Sequence, residues 1–182
     1  MLKRISIAAL IASVITGLFM YFTAAQTTAE EMASANMMTM MLAGYTAMLV
    51  ALSVIFIAIK RQRDIAQGGV IKFLPALGMG LAITLVAGIL YAIAWEISLA
   101  LTDYQYIGAY EGVVMSMVEA SGKTGEDLET YRQSMLASVE SYRNPMFRIP
   151  ITFTEIAPVG VLVSLVSALL LRNSRFLPAR PA

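Results

Sequence analysis

Four long apolar runs, at residues 5–25, 37–59, 73–101 and 149–171, alternate with polar stretches along the chain. A hydrocarbon layer about 30 Å thick is crossed by roughly 20 apolar residues in helical form, and each run reaches that length. Spanning strands would alternate apolar and polar residues, whereas these runs are continuously apolar, so the pattern predicts helices. The one long polar stretch, residues 103–144, has a helical period of its own. Ile107, Tyr110, Val114, Met117 and Val118 share one face, and Leu128, Tyr131, Met135, Val139 and Tyr142 share another. Ser121-Gly122-Lys123-Thr124-Gly125 separates the two, and Thr124 with Asp127 three residues later has the spacing of a capping box. The expected architecture is an all-α membrane protein, a single domain over residues 1–182. It has four transmembrane helices and an extracytoplasmic helical hairpin between the third and fourth.

Within the runs, small residues suggest which helices meet. Ala76, Gly80, Thr84 and Gly88 form a stripe on the third, and Gly160, Ser164 and Ala168 repeat the spacing on the fourth, so these two are expected to pack. Pro158 is expected to kink the fourth helix or to leave a carbonyl near Thr154 free. Residues 26–36 read as a short outer turn carrying Glu30 and Glu31, and the tail from Arg172 to Arg180 as disordered. The basic start, apolar run and small residues Thr23, Ala24 and Ala25 imitate a signal peptide. The run is longer than such a segment needs, so its retention is expected. Met37, Met38, Met40 and Met41 offer soft thioethers, but with no Cys or His beside them they read as packing residues and not as a metal site.

Composition changes the picture in two ways. With 58% apolar residues, 14% charged ones and a mean hydropathy of +0.72, the chain exceeds what a water-soluble core needs. The absence of Cys and His removes thiolate nucleophiles, disulfides, His-based acid/base pairs and the usual zinc ligands, leaving carboxylates, hydroxyls and amines. No cofactor and no enzymatic activity are expected. A net charge of +1, with the basic residues at the ends of apolar runs, gives no surface for nucleic acid. Lys60, Arg61, Arg63 and Lys72 lie between the second and third runs and set the topology. With Lys3, Arg4, Arg172, Arg175 and Arg180 they outnumber the four basic residues of the other side, which predicts cytoplasmic termini.

Glu96 and Glu155 are the carboxylates close to or within the runs. Glu96 lies 24 residues beyond Lys72, about 36 Å along a helix, and so reads as an interfacial residue. Glu155 sits roughly a turn deeper, where an acid asks for a reason. Two readings stand: with Glu96, Tyr91 and Tyr45 it lines a polar cavity, or it pairs with Arg148 or a hydroxyl such as Thr152.

The order of Gly44-Tyr45, the Lys60-Arg61-Gln62-Arg63-Asp64 stretch with Gly68-Gly69-Val70-Ile71-Lys72, Tyr91-Ala92-Ile93-Ala94-Trp95-Glu96, Asn144-Pro145 and Glu155-Ile156-Ala157-Pro158-Val159-Gly160 resembles a bacterial family of four-span membrane proteins catalogued only as a domain of unknown function. The resemblance covers nearly the whole chain. It implies the topology above and an inner membrane of Gram-negative bacteria, and it supplies no activity. A structural or accessory protein, associating with itself or with a membrane partner through the small-residue stripes and the outer hairpin, is the leading expectation. A small proton-coupled transporter, or a lipid- or cation-binding protein using Glu155, is the alternative. The bilayer is the expected surrounding in either case.

Overall fold

In the computed structural model, which describes residues 1–26 and 37–179, helices joined by short turns make up the described residues and no strand occurs among them. Helix α1 is Leu2–Gln26, α2 is Met37–Leu52 and α3 is Val54–Arg61, which continues into a wider π turn, Gln62–Ala66. Helix α4 is Phe73–Leu101, α5 is Gln105–Ala120, α6 is Gly125–Arg143 and α7 is Pro145–Leu171. Four segments are long and apolar enough to cross a membrane: Leu2–Ala25, Met38–Ala66, Phe73–Leu101 and Pro145–Leu171. Their outward faces carry exposed leucine, isoleucine and valine, among them Leu10, Leu85, Ile93 and Leu162, as lipid-facing surfaces do. The expected outer turn with Glu30 and Glu31, and Arg180, fall outside the described residues.

The most extensive contact joins α4 to α7, and small residues make it possible. A Cβ added at Gly80 would lie 2.7 Å from Ser164 Cβ, and one at Gly88 would lie 2.6 Å from a ring carbon of Phe153. A Cβ at Gly160 would collide with the Thr84 side chain. The backbones therefore approach closely, and Thr84 Oγ1 and Ser164 Oγ share a hydrogen bond of 3.2 Å across the seam. Helix α1 packs on the other side of α4, with Gly17 against Ala94. Ile55, Ile59, Met79, Ile83 and Ile156 fill the space between, all fully buried.

The structure departs from the sequence expectation at several places. The second spanning segment does not end at residue 59. It continues through the basic stretch, where Lys60 and Arg63 both bond Asp64, the latter at 2.6 Å. Arg63 is wholly buried, because its guanidinium also donates to the backbone carbonyls of Phe176, at 2.9 Å, and Leu177. A buried guanidinium needs acceptors for its five N–H groups, and the C-terminal segment supplies them. The tail is thus not disordered up to residue 179, and the Phe176 ring packs edge-on against Phe56 at 6.4 Å. Arg61 and Lys72 remain exposed at this basic end of the bundle.

The fourth span begins four residues early, because Asn144 caps it by accepting from Met146 N at 3.0 Å and Pro145 occupies the first turn. Pro158 sits inside α7 without ending it. At the opposite end of the bundle, α5 and α6 pack together as a hairpin in which Val114, Val118 and Val139 are buried, while Ile107 joins the core of the bundle. Thr124 precedes α6 but makes no side-chain cap, so the expected capping box is absent. The chain enters α6 through Gly125, whose φ of +59° is left-handed and suits glycine.

Candidate functional site

Equal depth decides which charges meet near the hairpin. Glu96 lies 24 residues beyond Lys72 on α4, and Arg148 lies 24 residues before Arg172 on α7, so the two are level on neighbouring helices. Arg148 Nε donates to Glu96 Oε1 and Nη2 to Oε2, both at 2.6 Å, in a bidentate pair. Its Nη1 donates to the carbonyls of Tyr142 at 3.0 Å and Arg143 at 3.1 Å, the last residues of α6. The rings of Tyr104 and Tyr142 flank the guanidinium at 5.6 and 5.8 Å. One fully buried arginine thus ties the end of α4, the end of the hairpin and the start of α7 together.

This pairing removes one of the two readings of Glu155, the one in which it pairs with Arg148 or with the Thr152 hydroxyl. Seven residues separate Arg148 from Glu155, about 10 Å of helix rise, whereas Glu96 is level with it. Thr152 Oγ1 is buried without a hydrogen-bond partner. Glu155 forms no ion pair among the described residues; its side chain is exposed into a cavity, with the Tyr91 hydroxyl beside it.

That cavity, of about 750 Å³, lies between α1, α2, α4 and α7, with Tyr106 of α5 and Tyr142 of α6 lining it on the hairpin side. Tyr45, Tyr91 and Glu155 line it together; Glu96 does not, being held by Arg148. Gly44 removes a side chain from the α2 wall, where a Cβ would have nothing within 4 Å. Phe19 and Phe22 of α1 and Met40, Met41 and Met48 of α2 supply apolar surface.

The remaining wall is a linked set of rings. Trp95 Nε1 donates to the Tyr142 hydroxyl at 2.9 Å, and Trp95 meets Tyr106 edge-on at 4.9 Å. Burial pushes the Tyr142 hydroxyl up to about 12, although the Trp95 indole hydrogen bond favours the phenolate. Burial also raises Tyr106, with the Glu155 carboxylate adding to it. Both therefore face the cavity as neutral phenols at ordinary pH. Among the described residues, Glu155 is the one charged group on the lining, and no lysine or arginine reaches it.

Such a lining can hold an organic cation by its charge and its apolar substituents at once. No group of three or more acidic residues stands together as a metal-holding cluster among the described residues. Sequence reasoning missed Trp95, Tyr106 and Tyr142 as cavity residues: Trp95 stands there only within the Tyr91–Glu96 stretch, Tyr142 only on the apolar face of the hairpin, and Tyr106 is not singled out. It also missed Arg63 and Arg148 as buried clamps. The legible signal for Arg148 was its depth, matched to that of Glu96.

Nothing among the curated proteins or the solved structures matches this chain. The family described as protein of unknown function (DUF4199) matches residues 6–173, from the first spanning helix to just past the last, and the chain belongs to that family.

Proposed function

We propose that this integral membrane protein binds an amphiphilic organic monocation in the cavity beside α2, with Glu155 as its counter-ion. The observation that carries this reading is the lining: one carboxylate, no basic residue, and aromatic rings from α1, α2, α4, α5 and α6 around about 750 Å³. A carboxylate facing apolar walls is poorly solvated, so it gains most from a cation that brings little hydration of its own. Quaternary ammonium and phosphonium groups are of that kind. A small hard metal ion would demand more oxygen ligands than one carboxylate and its neighbouring phenols offer. Methionine side chains let the wall adapt to different substituents. Exchange of the cation for a proton on Glu155 would make the protein a small carrier, using the same site.

The association reading is weaker. Gly80, Gly88, Gly160 and Ser164, the small residues that suggested it, are packed between α4 and α7 of a single chain and offer no surface to a second one, which leaves the outer hairpin as its support. The charge bias supports an orientation with both termini cytoplasmic and the hairpin outside; a bacterial inner membrane rests on the family resemblance alone. A reporter fused after Ala182 should then be active only in the cytoplasm and one inserted near Gly122 only outside, and the reverse pattern would invert the orientation.

Trp95, the sole tryptophan, stands in the cavity wall and reports on occupancy. Titrating the detergent-purified protein with tetraphenylphosphonium should change its emission saturably. Glu155→Gln should weaken the apparent affinity by about ten-fold or more. Neutral triphenylphosphine oxide should give no saturable response. Equal binding by the Gln variant, or by the neutral compound, would overturn the proposal.

A further inference from the structure

A second recess lies at the opposite, basic end of the bundle, between the start of α1 and α3, and encloses about 290 Å³. Its floor is Ala8 and Ala58, both buried, whose small side chains leave the space of the recess unfilled. Its walls are Ile7, Ile11 and Ile57, all exposed. Lys3, Arg4 and Arg61 stand at its rim.

The charges at that rim are uncompensated. Arg4 Nη1 donates to Gln62 Oε1, a neutral acceptor. Lys3 and Arg61 form no ion pair among the described residues, and no carboxylate lines the recess. The nearby acid, Asp64, is already held by Lys60 and Arg63. Three cations converging without an anion make a local positive potential. From Lys3 to Ile11 the apolar wall continues for about 12 Å along α1, directly beneath the rim. A free anion would satisfy the cations and leave that wall unused. An anionic amphiphile uses both.

We propose that this recess seats one anionic phospholipid, its phosphodiester among Lys3, Arg4 and Arg61 and an acyl chain against Ile7, Ile11 and Ile57. Basic recesses between spanning helices suit such headgroups, since guanidinium and ammonium donors match phosphate oxygens and the bilayer delivers the chain. The site is separate from the Glu155 cavity and does not depend on what that cavity binds.

The test uses the full chain in neutral detergent, stripped of lipid. Its thermal midpoint is followed on adding dioleoyl phosphatidylglycerol, dioleoyl phosphatidylcholine or glycerol 3-phosphate. Phosphatidylglycerol should raise the midpoint, and the other two should not. K3Q/R61Q, which keeps the Arg4–Gln62 bond, should weaken the apparent affinity for phosphatidylglycerol roughly 30-fold. K123Q/R132Q, which removes the same charge from the hairpin, should leave it unchanged.

Equal responses to the two lipids, a response to glycerol 3-phosphate alone, or equal losses in both double variants would overturn the proposal. Should K3Q/R61Q fail to fold, native mass spectrometry of the unaltered protein in equimolar mixed micelles decides. Preferential retention of one phosphatidylglycerol supports the site, and equal retention overturns it.

Discussion

Replacing Arg148 by methionine should be the most damaging single change near the hairpin, and the structure sets its size. Arg148 is wholly buried and the Glu96 side chain is 22% exposed. The change strands the Glu96 carboxylate and leaves the Tyr142 and Arg143 carbonyls at the end of α6 without their donor. Breaking a fully buried pair in this way costs about 3–5 kcal/mol. Water can reach part of Glu96, so the lower end applies, about 3 kcal/mol. Glu96→Gln keeps an acceptor opposite the guanidinium and should cost about 1–2 kcal/mol. The double variant E96L/R148M removes both charges, so it should be less destabilised than R148M alone. Unfolding in mixed micelles, followed by Trp95 emission, measures all three, because Trp95 adjoins Glu96 and bonds Tyr142. An R148M protein within about 0.5 kcal/mol of the parent, or a double variant no better than R148M, would refute the argument.

Three further outcomes follow from the packing and the ring set. Gly160→Leu should destabilise the α4–α7 seam by about 1–3 kcal/mol through collision with Thr84, while Gly44→Ala, facing open space, should be nearly neutral in the same unfolding assay. Arg63→Met should release the C-terminal segment, so that trypsin cuts at Arg172 or Arg175 about ten-fold faster or more; an unchanged rate would show that the carbonyl clamp is unimportant. Tyr142 is neutral in the fold up to about 12 but ionises near 10.0 when unfolded, so its contribution is intact below 10.0 and declines as pH rises from there to about 12. Absorbance titration of the parent against Tyr142→Phe reads that alkaline phenol directly.

The spanning helices were legible because their signal is local: each run is long and uniformly apolar, and lipid allows no competing structure. The α4–α7 seam was legible too, since small residues four apart mark a close approach from sequence alone. The end of the second span was not. Lys60 and Arg63 read as loop charges, and only the acceptors on Asp64, Phe176 and Leu177, distant or adjacent, explain how the helix keeps them. The fate of Glu155 was hidden for the same reason. Arg148 could serve Glu96 or Glu155 by composition, and helix register chose Glu96. Tyr45, Tyr91 and Glu155 share a depth that the sequence gives away, whereas Tyr106 and Tyr142 reach the cavity only because the hairpin folds over it.

The claim that Glu155 receives an organic cation is tested most directly by seeing where such a cation sits. Crystals grown with tetraphenylarsonium, measured at the arsenic absorption edge, should show an arsenic site inside the cavity, in contact with Glu155 and the rings of Tyr91 and Trp95. The site should be empty in crystals of Glu155→Gln. Arsenic bound only on the lipid-facing surface, or equally present in the Gln variant, would contradict the account.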